Sequence, residues 1–366
     1  MLKRTHSCGE LRAEHAGQQV TLSGWVNTYR DQGKGLIFID LRDRDGLTQV
    51  VFNLEDVAGD VVTAGRGLRR EDVIAVTGKV RMRAGDPNPK LATGDIEVIG
   101  DTLEVLNKSE TPPILPDEYE AEKIAEETRL KYRYIDLRRK RMQHILRTRH
   151  RVTKITRDYF DEHRFTEIET PFLIKSTPEG ARDFIVPSRM YPGQWYALPQ
   201  SPQLFKQILM VAGCERYMQI VRCFRDEDPR ADRQAEFSQI DLEMSFVDRD
   251  DVMAMMGGFV RRLWQEVLSI DIGEIPAMTY RDAMERYGID RPDLRFDLSI
   301  TDVSDLAAKT DFRVFNDALA KDTGVVKAIR VPGGAEKLTR KMTDGYSEWV
   351  KTFKAGGVPV VKYTDK

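Results

Sequence analysis

The first 106 residues carry five runs of β-branched and aromatic residues broken by polar ones: QVTLSGWVNTY, LIFIDLRD, LTQVVFN, DVIAVTGKVRM and IEVIGDTLEVL. Such runs predict strands. Turn signals separate them at Asp45-Gly46 and from Gly85 to Pro89, and a helix-like segment, Glu55 to Arg70, falls between the third and fourth. Residues 19–106 therefore read as a small β-domain. From Ser109 to Arg129 the composition turns to proline and then to acid, as in a linker or hinge. The period then becomes helical, with Val152, Ile155, Tyr159 and Phe160 on one side. Val252–Ser269 and Tyr280–Tyr287 read as further helices, whereas residues beyond about 288 mix short signals that pattern alone does not place.

One hairpin stands out, YMQIVRCFRDEDPRADRQAEFSQIDLEMSF at 217–246. Two strand-like runs, Tyr217–Phe224 and Phe237–Phe246, flank a loop dense in charge. Alternation puts Phe237, Gln239, Asp241 and Glu243 on one face and Ile240, Leu242, Met244 and Phe246 on the other, the face built to pack. Arg225 and Glu227 leave the first strand two apart and so project to the same side. An arginine fork suits a phosphate and a flat ring suits a purine. Read from residues alone, the hairpin is also compatible with an ordinary solvated charged tip.

Composition narrows the classes. Lys and Arg number 57 against 59 Asp and Glu, for a net charge of −2, so no global basic field draws the chain to nucleic acid. Any RNA contact must be local, and the stretch 129–151, with ten Lys or Arg, is one candidate. With 41% hydrophobic and 32% charged residues, 366 residues suit two or three domains. The three cysteines, Cys8, Cys214 and Cys223, form no close pair in sequence and leave an odd count, which argues for a reducing compartment, and the five scattered histidines give no metal spacing. No apolar stretch approaches the ~18 residues of a membrane span and MLKRTHSCGE lacks a signal-peptide core, so a soluble cytoplasmic protein is expected.

The hairpin resembles motif 2 of class II aminoacyl-tRNA synthetases: phenylalanine-arginine-x-glutamate, a loop, then arginine-x-x-x-phenylalanine, here Phe224, Arg225, Glu227, Arg233 and Phe237. HRFTEIETPFL at 163–173 resembles motif 1, with Pro171 at the family's dimer interface, although Arg164 stands where the family has glycine. STPEGARDF at 176–184 resembles the loop that closes over the amino-acid pocket in bacterial-type aspartyl-tRNA synthetases. ALPQSPQLFKQ at 197–207 resembles their substrate-binding helix start, with Ser201 as cap, Pro202 in the first turn, and Gln203 and Lys206 on one side. Residues 1 to about 300 are similar to that family throughout, including RLKYRYIDLRR and the PDLR segment at 292–295. Motif 3 is not found, since Gly257-Gly258 and Gly333-Gly334 lack its context. The sequence therefore looks truncated before motif 3, and the 366-residue chain alone is expected to be inactive.

The resemblance implies a multidomain α+β protein. A five-stranded OB-fold β-barrel that binds the anticodon (1–108) is followed by a hinge (109–136) and a class II antiparallel-sheet core (137–287). The start of a bacterial insertion domain (288–366) completes the chain. The implied activity is aspartate–tRNA ligation: ATP-dependent formation of aspartyl-adenylate from L-aspartate, then transfer to the 3′ end of tRNA(Asp). Arg225 would hold the α-phosphate, Phe237 would stack adenine, and Glu227 would contact adenine or the tRNA end. Glu179, Ser201, Gln203, Lys206 and Asp241 would bind aspartate, with Asp241 near its ammonium. Mg²⁺ ligands are expected downstream of residue 366, with no metal site in this chain, and the enzyme is expected to be a homodimer.

In the barrel, Arg30, Phe38, Gln49 and Glu97 would meet the anticodon, Phe38 by stacking. Read without the family, Phe38 is barrel core, because LIFID alternates and one of its faces must be buried. The alternatives are an asparaginyl- or lysyl-tRNA synthetase of the same architecture, or a tRNA-binding fragment without catalysis. Whether tRNA(Asn) is also charged depends on anticodon neighbours such as Thr28 and Gln32.

Overall fold

The five N-terminal runs form five strands in the computed structural model, which describes residues 2–116, 123–177, 180–228 and 230–363. These are β1 (Gln19–Asp31), β2 (Leu36–Arg42), β3 (Leu47–Asn53), β4 (Val73–Met82) and β5 (Ile96–Asn107). They close into a barrel in the order β1-β2-β3-β5-β4, sealed by a short parallel pairing of Val50 and Val51 with Val98 and Ile99. Helix α1 (Gly59–Arg66) lies between β3 and β4, so strand order and helix position are those of the expected OB-fold. The helix is shorter than the segment 55–70, because Asn53 first turns the chain by accepting from the Asp56 and Val57 amides. Leu22, Val26, Ile37, Ile39, Leu41, Phe52, Ile74 and Val76 fill the interior. Each fully buried side chain of this kind contributes roughly 1.5–3 kcal/mol. Packing is tight: a Cβ at Gly100 would sit 2.5 Å from the Phe52 ring.

Charge ties the barrel to the segment C-terminal to it. Glu71, buried and left-handed at φ 69°, accepts from Arg42 at 2.7 and 2.9 Å and from Arg138 at 3.0 Å. Arg138 also lies over the Trp25 ring. Asp72 accepts from the backbone amides of Arg69 and Ser109 and pairs with Lys108. Burial pushes its carboxyl up, but those amides and the ammonium outweigh burial and leave it below the usual aspartate value. Two short helices, α2 (Glu126–Lys131) and α3 (Arg133–Asp136), bury Asp136 among Arg129, Arg133 and Arg139.

Helix α4 (Lys140–Glu162) is the long amphipathic element, with Ile155, Tyr159 and Phe160 inward as the period requires. Arg147 reaches back to the barrel at the Arg44 carbonyl and Asp45, and Arg149 bonds forward to Ser238 at 3.0 Å. The helix ends in a Schellman turn: the Phe165 amide returns to the Phe160 carbonyl and the Arg164 amide to Asp161. The Phe160 and Phe165 rings pack 5.1 Å apart across it. Arg164 occupies the left-handed position at φ 66°, so a side chain stands where glycine is least strained.

The sheet of this region orders β10 (Glu236–Met244), β9 (Arg216–Phe224) and β6 (Thr166–Glu167); β10 is antiparallel and β6 parallel to β9. Beside it lie the hairpin β7 (Ile185–Pro187) with β8 (Trp195–Ala197), and α5 (Gln203–Val211). Helix α6 (Arg249–Leu268), capped by Asp248, completes a core of Tyr159, Phe160, Phe165, Met218 and Phe259. Leu242 and Met244 pack on that core as the alternation requires. Phe246 does not: it lies beyond the strand end at φ 59° and is 94% exposed. Ile240 is likewise exposed.

These elements form one unit, Met1–Asp271, and a second unit spans Ile272–Lys366. The second holds α7 (Tyr280–Tyr287), capped by Thr279 and ended by left-handed Gly288. Further along are a small hairpin, β11 (Ile300–Asp302) with β12 (Lys327–Ile329), and short helices including Arg340–Val350. Among the described residues, no helix is long and apolar enough to cross a membrane.

Candidate functional site

The substrate-side residues converge where α5 lies against the polar face of β10. Lys206 is 12% exposed; its Nζ donates to Asp241 Oδ1 at 3.0 Å, lies 3.3 Å from Glu243 Oε2 and 3.4 Å from the Leu242 carbonyl. Asp241 is 9% exposed, so the strand face expected to be open is covered at this point by the helix. Burial pushes the Asp241 carboxyl above its ordinary value, Lys206 pulls it back, and Glu243 pushes it up again. With the Tyr217 hydroxyl turned to Gln219, Asp241 Oδ2 is buried without a hydrogen-bond partner. Two carboxylates around one ammonium leave a surplus negative charge beside a buried cation.

Residues 201 to 206 build that corner differently from the cap reading. The helix begins one residue later, with Pro202 at the N-cap, and proline has no side-chain oxygen to cap with. Ser201 and Gln203 are partly buried at this helix start, Gln203 one turn before Lys206. Gln200, next to this corner, was not singled out from the sequence. It is buried and binds both the amide and the carbonyl of Ala181, which ties the 180–184 segment to the pocket. Glu179 lies outside the described residues.

At the mouth of the hairpin, the Arg225 amide bonds to the Ala235 carbonyl, and its guanidinium lies 5.1 Å over the Phe237 ring. The ring face expected to receive a purine thus carries a cation. Glu227 pairs with Arg233 at 3.5 Å across the loop, both exposed. Pro171 is exposed, next to the exposed side chains of Phe172 and Leu173.

The barrel residues gather separately. Arg30 donates to Gln49 at 3.4 Å and Gln49 to Glu97 at 2.9 Å, and both Gln49 and Glu97 are 2% exposed. Arg81 and Arg83, not singled out from sequence, complete the cluster: Arg81 bonds Glu97 at 2.9 Å and Arg83 bonds Gln49 at 2.5 Å. Their spacing of two, at the end of β4, was the available signal. Phe38 corrects the core reading. On β2 the buried positions are Ile37, Ile39 and Leu41, whereas Phe38 is partly exposed on the opposite face, paired across to Arg30. Alternation identifies two faces; the interior took the one with three aliphatic residues.

Among the described residues, no group of three His, Cys, Asp or Glu is placed to hold a metal ion. The sequence family "tRNA synthetases class II (D, K and N)" matches residues 125–363, and "OB-fold nucleic acid binding domain" matches residues 20–106. The chain belongs to the class II tRNA synthetases of the D, K and N group. Its curated relatives include an aspartate–tRNA ligase of Clostridium perfringens, 52% identical over 367 residues. That alignment covers 100% of this chain and 60% of the relative. An aspartate–tRNA(Asp/Asn) ligase of Halothermothrix orenii is 53% identical, over 98% of this chain and 60% of the relative. The chain thus spans about 60% of the length of these relatives. Among solved structures, the asparaginyl-tRNA synthetase of Pyrococcus horikoshii with asparaginyl-adenylate aligns with a TM-score of 0.64 and 26% identity. It covers 74% of this chain and 59% of that one.

Proposed function

We propose that this class II chain supplies amino-acid selection and nucleotide contacts for the ATP-dependent ligation of L-aspartate to tRNA(Asp). The observation that carries the reading is the cluster of Lys206, buried Asp241 and half-buried Glu243. A substrate with one ammonium and two carboxylates suits it: Lys206 takes the side-chain carboxylate, and Asp241, with Glu243 beside it, takes the ammonium. Ser201, Gln203 and Glu179 complete the aspartate site in this reading. A cationic substrate would meet Lys206 with like charge. Asparagine would offer it no charge, leaving a desolvated ammonium short of a partner.

In the reaction, the α-carboxylate of aspartate attacks the α-phosphorus of ATP in line and pyrophosphate leaves. The 3′-hydroxyl of the terminal tRNA adenosine then takes the aspartyl group. Positioning and neutralisation of phosphate charge do most of this work. Adenine stacking on Phe237 displaces Arg225 from that ring and frees its guanidinium for the α-phosphate, while Glu227 meets adenine or the tRNA end. Mg²⁺, when bound, would neutralise phosphate charge, with its ligands expected downstream of residue 366.

The domain roles in this reading are anticodon binding by 1–108, through Arg30, Phe38, Gln49 and Glu97, a hinge at 109–136, catalysis by 137–287 and an insertion at 288–366. The working enzyme is a cytoplasmic homodimer with Pro171 at its interface. Pyrophosphate exchange by the complete protein with aspartate, asparagine and lysine tests the reading. Exchange driven by asparagine or lysine as well as by aspartate would overturn it.

A further inference from the structure

Gln219 is the cross-strand partner of Asp241, and Tyr217 lies two residues earlier on the same face of β9. Tyr217 is fully buried and Gln219 is 4% exposed. Two backbone groups decide which way the Gln219 amide points. The Ile168 carbonyl can only accept and the Thr170 amide can only donate. They lie 3.2 and 3.3 Å from opposite termini of the side chain, so its nitrogen belongs toward Ile168 and its oxygen toward the Thr170 amide. That nitrogen then stands 2.8 Å from the Tyr217 hydroxyl and 3.0 Å from Thr170 Oγ1. An amide nitrogen accepts no hydrogen bond, so the Tyr217 proton is not spent on Gln219. A buried hydroxyl proton nonetheless needs an acceptor.

The orphaned acceptor nearby is Asp241 Oδ2, without a partner so long as the hydroxyl is turned to Gln219. Diagonal cross-strand neighbours, about 7–8 Å apart, are within reach of a ring this long. We propose that Tyr217 is a positioning residue that donates its proton to Asp241 Oδ2, oriented from behind by Gln219, Thr170 and Ile168. Lys206 from α5 then holds Oδ1, Tyr217 from β9 holds Oδ2, and Glu243 faces the same point along β10. The carboxylate plane is fixed from two sides, with its remaining lone pairs left for a ligand cation. The link to aspartate recognition rests on the function proposed above; the address of the proton does not.

The test titrates the Asp241 carboxyl carbon by ¹³C NMR in this chain, assigned by its loss in Asp241→Asn. In Tyr217→Phe the midpoint should rise by about one pH unit, the size expected for one hydrogen bond to a charged group. An unmoved or lowered midpoint overturns the proposal. Should Tyr217→Phe fail to fold, the unaltered chain decides: the slowly exchanging Tyr217 hydroxyl proton must shift with the Asp241 midpoint, and indifference to it overturns the proposal. In the complete protein, Tyr217→Phe should raise the aspartate KM about tenfold with the ATP KM within about twofold. An equal rise in both would mark a merely structural tyrosine. Absence of aspartate activation in the unaltered protein would instead count against the function, with the titration still deciding where the proton goes.

Discussion

The barrel and the pocket each bury a polar network, and they are built inside out from one another. In the barrel the acid and the amide are deepest: Glu97 and Gln49 are 2% exposed, and Arg30 and Arg81, at 47% and 40%, stand over them toward solvent. In the pocket the cation is deep, Lys206 at 12%, with two carboxylates gathered on it. Outward cations on a rigid barrel can meet an extended polyanion and lose strength with salt. A cation covered between a helix and a strand offers an extended partner far less. On the proposed function, the same residue chemistry would serve a long partner in one place and a compact one in the other, with depth as the difference.

The strongest way to break this contrast is Lys206→Met. Removing the cation leaves Asp241 and Glu243 crowded without their counter-charge, and stability should fall by about 3–5 kcal/mol in urea unfolding. Lys206→Met with Asp241→Asn should recover much of that loss. A fall below about 1 kcal/mol would mean that the pocket is wet and the contrast in depth is not real. In the barrel, Phe38→Ala should cost about 1–3 kcal/mol in binding an anticodon stem-loop, measured by titration, and little in stability. The reverse pattern would return Phe38 to the core.

Two aspartates sharpen the comparison through pH. Asp72 is held below the usual value, so its contribution is present above the unfolded pKa near 3.8 and is lost as pH falls through the folded value. Asp241 is held above it, so its contribution is present below the unfolded pKa and is lost as pH rises through the folded value. Acidification below about pH 4 should therefore weaken the barrel while relieving the pocket. Unfolding curves of Asp72→Asn and Asp241→Asn against pH should diverge from the parent in opposite directions. The smallest effect belongs to Arg164→Gly, which relieves a left-handed side chain and should stabilise by about 0.5–1 kcal/mol in thermal unfolding.

How far the sequence reached depends on what local patterns contain. The five strands, the hairpin at 217–246 and the helix at 280–287 were legible because alternation and caps are local signals. The contact of Lys206 with Asp241 was not, since it joins residues 35 apart through a helix laid across a sheet. Faces were legible but their assignment was not: Phe38 went outward because Ile37, Ile39 and Leu41 took the interior. Phe246 failed because the strand stops at Met244 and the backbone turns left-handed two residues later. Glu243 was placed on the face of Asp241 but not assigned to the aspartate site with it. Arg225 over Phe237 depends on side-chain conformation, which spacing does not encode.

Helix α4 has a mechanical consequence. Twenty-three residues make a rod about 35 Å long. It grips the barrel loop through Arg147 and the hairpin through Arg149, only two residues further on. The aromatic cluster of Tyr159 and Phe160 lies toward the other end of the same rod. Barrel loop and hairpin are thus tied to the same half-turn of one helix, so the strand that carries Asp241 is joined to the barrel through side chains about 3 Å apart along the axis.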